Sequence, residues 1–439
     1  MTKDLTEHLL DLIPTNISDR GKITLDARLA PIRDILNRQR FPATPLTDWQ
    51  IEQLLNLFSS MDSDKDPDAA RMGEREGRVA SPLVSQLAGG FNHGIGRSGR
   101  ILAPQPKAAG ASLMQKLTNN IVLDAIKQLG LHNVRAAMIL PLGTGMSIAL
   151  TLSMLRREYN IQNVLYPRID HTSPKRGIDL VGVTMVSVAT ELKGDGVQVD
   201  MNDFEKKLGD TKSSCVLGTS TFFAPRESDP IKPMAKMCLE HDVPFIVNNA
   251  YGIQSESVMA SISSAIDAGR VDAVIQSTDK NFLTPVGGSI VVSPNESTIN
   301  EIAESYAGRA TAAPIVQTLS SLLAIGYERY IELRKIQLEN RRMLESLLAD
   351  EAERLNQRVL DIDNPVSCAL TLDGFDVREI GARLYQHRVT GPRAVQKNSY
   401  GSCIEGYPHD YLVMNAAIGS QKKDITIAVD RLISELKKI

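Results

Sequence analysis

Short apolar runs alternate with helical patterns between Met138 and Val292. The runs Ala136–Leu140, Val164–Tyr166, Thr184–Val188, Ser214–Gly218, Phe245–Val247, Ala273–Gln276 and Ser289–Val292 are strand candidates rich in Val and Ile. Between them, segments such as Ser147–Tyr159, Met201–Leu208 and Pro230–His241 carry apolar residues at helical spacing. Strands and helices in this alternation predict an α/β fold built on a large, mainly parallel seven-stranded sheet. The run at Ser289 follows its predecessor too closely for a crossover helix, so it is predicted as an antiparallel member.

The pattern changes at both ends. Helical spacing recurs in Leu25–Leu36 and Trp49–Met61, and Asp62–Ala70 (D-S-D-K-D-P-D-A-A) reads as an acidic loop. Residues 1–70 hold too little apolar content for a core of their own. They form an N-terminal helical segment that packs on the body or on another subunit. A large domain is predicted over 71–325. A long charged helix, Tyr327–Val359, then leads into a smaller C-terminal α+β domain, the pair spanning 326–439. That domain has strand-like runs at Ser367–Leu372 and Tyr411–Asn415. Its final helix has Asp424 as candidate N-cap and Lys437-Lys438 at its C-terminal end, as the helix dipole favours.

Composition removes several classes. With 439 residues, 42% apolar, 23% charged and a net charge of −3, the chain reads as a soluble globular protein, and any basic footprint for nucleic acid must be local. Ala136–Leu155 is long enough for a membrane span, but Pro141, Gly143 and Gly145 interrupt it. It is predicted as strand, tight turn and buried helix. The N-terminus carries charges throughout and is not a signal peptide. Cys215, Cys238, Cys368 and Cys403 are scattered, which suggests neither a disulfide framework nor a metal site and fits a reducing, cytoplasmic setting.

Several stretches could carry chemistry. Gly143-Thr144-Gly145, between strand and helix, is either an anion cradle or a plain turn. Gly94-Ile95-Gly96-Arg97-Ser98-Gly99 matches the dinucleotide fingerprint in letters, but no strand precedes it. With Arg100 and Gln105 it is either a loop of donors for a phosphate or a solvated basic loop. Gly73-Glu74-Arg75-Glu76-Gly77-Arg78 has the look of surface ion pairing. Asn248 and Asn249 end a strand, where α/β sheets bind ligands or where loops are capped. Lys280, at the end of an apolar strand, is either a solvent-exposed charge or an amine set in a cleft.

The order of these pieces resembles that of phosphate cup, pyridine partner and Schiff-base lysine in fold-type I pyridoxal-phosphate enzymes, the aspartate aminotransferase-like transferases. In such a cleft a desolvated lysine forms an imine. A closer resemblance is to the O-phosphoseryl-tRNA:selenocysteinyl-tRNA synthase family of selenium transferases. It rests on G-E-R-E-G-R-V-A-S (73–81), H-G-I-G-R-S-G (93–99), Q-P-K-A-A-G (105–110), T-G-M-S (144–147), Y-P-R-I-D (166–170), F-A-P-R (223–226), V-N-N-A-Y-G-I-Q (247–254), Q-S-T-D-K-N-F (276–282), P-V-G-G (285–288), G-R-A (308–310) and N-A-A-I-G (415–419).

The resemblance implies conversion of phosphoseryl-tRNA(Sec) to selenocysteinyl-tRNA(Sec) with pyridoxal 5'-phosphate as cofactor and selenophosphate as selenium donor. Lys280 matches the lysine that holds the cofactor and moves the α-proton. Thr144, Gly145 and Arg75 match groups near the cofactor phosphate, Asn248 the residue facing the pyridine nitrogen, and His171 the side chain stacking on the ring. Arg97, Ser98, Gln105 and Arg309 match the groups gripping the substrate phosphate. Glu74 matches a residue that repels free amino acids, and Arg393 one that contacts the tRNA acceptor arm. The substrate's carboxyl is esterified, so a carboxylate nearby filters out free phosphoserine. An amide facing the pyridine nitrogen makes a weaker electron sink than an aspartate. A homotetramer, a dimer of dimers joined with help from the N-terminal helices, is implied too.

The chain also departs from the family pattern. His171-Thr172 stand where Gln and Lys are frequent, and Asp267 stands at one tRNA-contact position although Arg270 remains. The end at Ile439 resembles the shorter, archaeal type, leaving Lys422-Lys423 or Lys437-Lys438 to replace the tRNA grip of a longer tail. The rival readings are another pyridoxal-phosphate lyase or transferase, such as the phosphoseryl-tRNA to cysteinyl-tRNA type, and a non-catalytic tRNA-binding protein.

Overall fold

The apolar runs pair into one sheet because each needs both faces covered. In the computed structural model, which describes residues 12–438, seven strands lie in the order β1-β9-β8-β7-β6-β2-β3. They are β1 (Ala136–Leu140), β2 (Asn163–Pro167), β3 (Thr184–Val188), β6 (Ser214–Thr219), β7 (Phe245–Asn248), β8 (Ala273–Ser277) and β9 (Ser289–Ser293). β6, β8 and β9 are buried along their whole length, which accounts for the apolar residues at their centres, with Ser214, Thr219, Gln276, Ser277, Ser289 and Ser293 at or near their ends. β9 runs antiparallel to both of its neighbours, β8 and β1. β1 therefore shares the direction of β8, and the carboxyl ends of β1, β2, β6, β7 and β8 fall on one edge. The predicted membrane-length stretch is β1, a turn and a helix, Thr144–Tyr159. No described helix is long and apolar enough to cross a membrane.

A hairpin, β4 (Thr190–Lys193) with β5 (Gly196–Val199), was not expected from the sequence. Its residues are mostly polar, and only β5 is buried along much of its length. The small domain has its own sheet, β10 (Ser367–Thr371), β12 (Tyr411–Asn415) and β11 (Arg393–Val395), in that order. A separate core of Leu344, Leu348, Leu370, Leu384, Leu412 and Leu432 lies under it. The last helix, Lys422–Leu436, corrects one expectation. Its N-cap is Gln421, and Asp424 sits inside the first turn, its N–H donating to the Gln421 carbonyl at 3.0 Å. A carboxylate there still suits the dipole. Lys437 and Lys438 lie just past its end, Lys438 bonded to Glu435 at 2.5 Å.

At the front, the helices Thr15–Arg38 and Asp48–Ser59 occur where helical spacing places them. Thr47 and Gln50 close a capping box on the second. Ile32, Ile35, Ile51, Leu54 and Phe58 join the main core. Ile17, Ile23 and Leu25 stay exposed. Most of the charged stretch read as no signal peptide lies outside the described residues.

The linking helix is longer than predicted, Ala313–Arg354, and it breaks at Gly326 (φ 64°, ψ 169°). The segment 42–46 fills the break. Leu46 N–H donates to Leu323 O at 2.8 Å, Tyr327 N–H to Pro42 O at 2.8 Å and Glu328 N–H to Ala43 O at 3.0 Å. A Cβ on Gly326 would come within 2.8 Å of the Thr44 carbonyl carbon. Gly326→Ala is therefore expected to lower stability by about 2–3 kcal/mol, the cost of a glycine-only conformation with a backbone clash added. The check is the urea midpoint of the cofactor-free protein. An unchanged midpoint would show that the filled break contributes nothing.

Candidate active site

Five strand ends meet at a cavity of about 300 Å³. The β1 end supplies Gly143, Thr144 and Gly145, the β2 end Ile169 and His171, and the β6 end Thr221, Phe222 and Phe223. Asn248, Ala250 and Tyr251 come from β7, and Ser277, Asp279 and Lys280 from β8. Lys280, Thr144, Gly145, His171 and Asn248, each singled out in the sequence, are brought together here.

Each is held by local structure. Thr144 opens a helix of 16 residues with Gly143 as N-cap, so free N–H groups and the positive end of the dipole face the cavity. Thr144 Oγ1 is buried with no protein partner. The Asn248-Asn249 pair divides in two. Asn249 Oδ1 accepts from Ser220 Oγ at 2.5 Å and its Nδ2 donates to Met259 Sδ at 3.5 Å, whereas Asn248 Oδ1 is buried and unpartnered. Thr221 Oγ1 and Tyr251 OH, of the same lining, are buried and unpartnered too, and orphan oxygens gathered at one cavity mark a place for a polar ligand.

Lys280 does not end a strand. β8 stops at Ser277, and Lys280 lies in a helical turn, Thr278–Phe282. Asn281 Nδ2 ties that turn to Ala250 O at 2.9 Å and Ser277 O at 2.7 Å. Gln254 Nε2 donates to Lys280 O at 3.4 Å, while Gln254 Oε1 accepts from Ile418 N–H of the small domain at 2.7 Å. The backbone is thus clamped and the lysine is exposed on the cavity wall.

An aromatic wall was missed in the sequence. His171 meets Phe222 edge-on (centroids 5.9 Å, 82°), and Phe223 lies 6.3 Å from Tyr251. Arg393, on β11, holds its guanidinium over both phenylalanines, 5.9 and 5.4 Å from their centroids. The available signal was Ser220-Thr221-Phe222-Phe223 directly after a strand, at an edge where ligands bind. Burial, then the charges of Lys280 and Arg393, hold the His171 imidazolium below the ordinary histidine range.

The remaining predicted residues form a second cluster, and none of them lines the cavity. Ile95 pairs with Ala310, bringing the 94–99 loop beside Arg309. The Arg97 and Arg100 backbones bond each other at 3.0 and 2.9 Å around Ser98-Gly99. Gln105 Nε2 donates to Gly96 O at 3.4 Å. Arg75 Nη2 donates to Asn92 O at 2.7 Å, and Arg309 Nη2 to His93 O. A Cβ at Gly94 or Gly96 would strike a backbone oxygen at 2.2 or 2.3 Å, so these glycines serve the turn rather than a dinucleotide. Glu74, Arg75, Arg97, Ser98 and Arg309 are exposed. Arg270 is taken up by ion pairs with Asp242 and Asp272, and Asp267 accepts from Asn133 at 2.8 Å.

Comparison with known proteins extends this geometry. Residues 61–437 match the family described as O-phosphoseryl-tRNA(Sec) selenium transferase. The O-phosphoseryl-tRNA(Sec) selenium transferase of Methanopyrus kandleri is 46% identical over 430 residues, 97% of this chain and 99% of its own. The crystal structure of an archaeal O-phosphoseryl-tRNA(Sec) selenium transferase superposes with a TM-score of 0.93 at 44% identity, covering 96% of this chain and 98% of that one. A sphingosine-1-phosphate lyase from Burkholderia pseudomallei shares the fold alone, at a TM-score of 0.55 and 17% identity, covering 95% of this chain and 90% of that one.

His171 yields a test. Carbon-13 labelling of the seven histidines in the cofactor-free protein should show two imidazoles, His171 and His93, titrating below the ordinary histidine range, and Lys280→Ala should raise the midpoint of His171 alone by removing a neighbouring positive charge. A midpoint indifferent to Lys280 would separate the two side chains.

Proposed function

The chain belongs to the O-phosphoseryl-tRNA(Sec) selenium transferase family and converts O-phosphoseryl-tRNA(Sec) to selenocysteinyl-tRNA(Sec), and from that premise we propose roles for its residues. The family depends on pyridoxal 5'-phosphate. One observation carries the assignment: Lys280 shares its cavity with unpartnered buried oxygens on Thr144 and Asn248. The donor set fits the group. Thr144, Gly145 and the helix start beneath them would hold its phosphate, Asn248 would meet its ring nitrogen, His171 would pack on its ring, and Lys280 Nζ would hold it covalently. When bound, the cofactor supplies an electron sink for the charge left at the substrate's Cα.

Lys280 Nζ, freed when the substrate's α-amine takes its place, accepts the proton from Cα. The phosphate leaves Cβ with the electron pair of the C–O bond. Arg97 and Arg309 balance the charge that develops on it, with Ser98 and Gln105 as neutral donors. Selenium from selenophosphate takes its place at Cβ, a water accepts the phosphoryl group, and Lys280 returns the proton to Cα. Glu74 disfavours free phosphoserine through its carboxylate. Arg393, over the aromatic wall, contacts the aminoacylated end of the tRNA.

In this reading the arginine loop of one copy covers the Lys280 cavity of another, and Arg75 reaches the cofactor phosphate across that interface. Support comes from the absence of the loop from the cavity of a single chain, and from the exposed Leu83, Val84, Leu87 and Val286. Residues 1–70 join two such dimers into a tetramer through the exposed Ile17, Ile23 and Leu25. Residues 71–325 bind the cofactor, and 326–439 supply the linking helix and small domain. A cytoplasmic location accords with four buried, unpaired cysteines.

Single-turnover reaction with phosphoseryl-tRNA(Sec) and selenophosphate should yield selenocysteinyl-tRNA(Sec), with no product from Lys280→Ala or from free phosphoserine. Product from the Lys280 variant would remove that residue from the chemistry. Refolding Lys280→Ala together with Arg97→Ala should restore about a quarter of the activity, since half of random dimers are mixed and each mixed dimer has one intact site. No recovery would place both groups in the same chain's site.

A further inference from the structure

The acidic loop D-S-D-K-D (62–66) has no part in the roles above, yet the arginine cluster hangs from it. We propose that Asp64 is a positioning residue for the substrate-phosphate grip, an inference that rests on the phosphate-binding reading of Arg309. The Asp64 side chain is 2% exposed. Its Oδ2 accepts from Asn92 Nδ2 at 2.7 Å and from Lys65 Nζ at 2.6 Å. Its Oδ1 has no hydrogen-bond partner and faces His93 Nε2 at 3.8 Å. Lys65 Nζ also donates to Gly90 O at 2.8 Å. The carboxylate thus fixes the Asn92 side chain and packs against His93, whose ring also meets Ser63 Oγ at 3.5 Å, and the neighbouring Lys65 fixes the chain just before the dipeptide.

The two carbonyls of that dipeptide are the ones that hold the arginines. Asn92 O accepts from Arg75 and His93 O from Arg309. A guanidinium is a planar fork of five N–H donors. Spending one on a fixed carbonyl sets the plane and leaves the others aimed outward for phosphate oxygens. The loop that follows, from Gly94 to Arg97, starts from the same anchor. The packing is close as well: a Cβ on Gly77, two residues after Arg75, would lie 2.5 Å from Asp64 Cβ and 2.9 Å from His93 Nε2. Asp64 itself does not line the Lys280 cavity. Loss of the anchor should therefore degrade substrate-phosphate recognition through Arg309 and, through Arg75, weaken the hold on the cofactor phosphate, while the Lys280 turn keeps its own bonds to Ala250 and Ser277.

The experiment uses the full-length, cofactor-loaded enzyme and compares dissociation constants for phosphoseryl-tRNA(Sec) and seryl-tRNA(Sec). With cofactor kept in excess, because Arg75 is assigned to the cofactor phosphate, Asp64→Ala is expected to cut the preference for the phosphorylated ligand about tenfold, as loosened placement does, with the affinity for seryl-tRNA(Sec) unchanged. Asp64→Asn keeps the shape and one acceptor, so a smaller cut is expected. It also decides the matter if the alanine variant does not fold. Arg309→Ala is the control. If it abolishes the preference while both Asp64 variants keep it, Asp64 positions nothing. If Arg309→Ala keeps the preference, the phosphate-binding reading itself fails.

Discussion

The chemistry of this chain depends on a shared edge. In a parallel sheet each strand is returned to its starting side by a crossover, so successive carboxyl ends collect on one face. Thr144, His171, Phe222, Asn248 and Lys280 are far apart in sequence, yet each follows such an end. The same constraint accounts for the strands' composition, since a strand covered on both sides has no place for polar residues. Antiparallel β9 does not break the arrangement. The turn that reverses the chain carries Val286, which borders the cavity.

Much of this was legible because it is local. A Val- and Ile-rich run followed by glycine, asparagine or lysine gives both the strand and the edge. What failed was decided at a distance. Nothing in Asn248-Asn249 distinguishes the two amides. Ser220 and Met259 consume one and leave the other free. Lys280 was placed on a strand because its turn is only five residues long and has no pattern of its own. Asp424 was taken as a cap because aspartate favours that position, but the helix starts earlier, at Lys422. The D-S-D-K stretch read only as an acidic loop, since the partner of Asp64, Asn92, lies 28 residues on. Most of the motifs quoted for the resemblance fall on this edge or on the arginine loop, and they covered functional positions that pattern alone left open.

The two clusters use opposite physics. The Lys280 cavity is walled by aromatic rings and neutral amides, with its polar atoms left waiting. The arginine cluster is exposed and strongly positive, and its order comes from backbone carbonyls rather than from counter-charges. Holding a guanidinium by a carbonyl leaves its full charge available, whereas a carboxylate partner would compete with the incoming phosphate.

The break at Gly326 has a consequence for how the two cores are set against each other. Ile315, Leu319, Leu322 and Leu323 pack in the main core, and Leu344, Leu348 and Ala352 pack in the small domain's. In an unbroken helix every residue advances the apolar stripe by about 100°, so the bearing of the second stripe would be dictated by the first. A single residue at φ 64° resets that phase. The azimuth of the small domain about the helix axis is set instead by what the second segment itself grips: Tyr330 is buried in the main core, and Arg334 donates to Ile253 O at 3.0 Å and Leu129 O at 2.9 Å. An inserted residue beyond Arg334 turns the second stripe and leaves 313–334 in register with the main core.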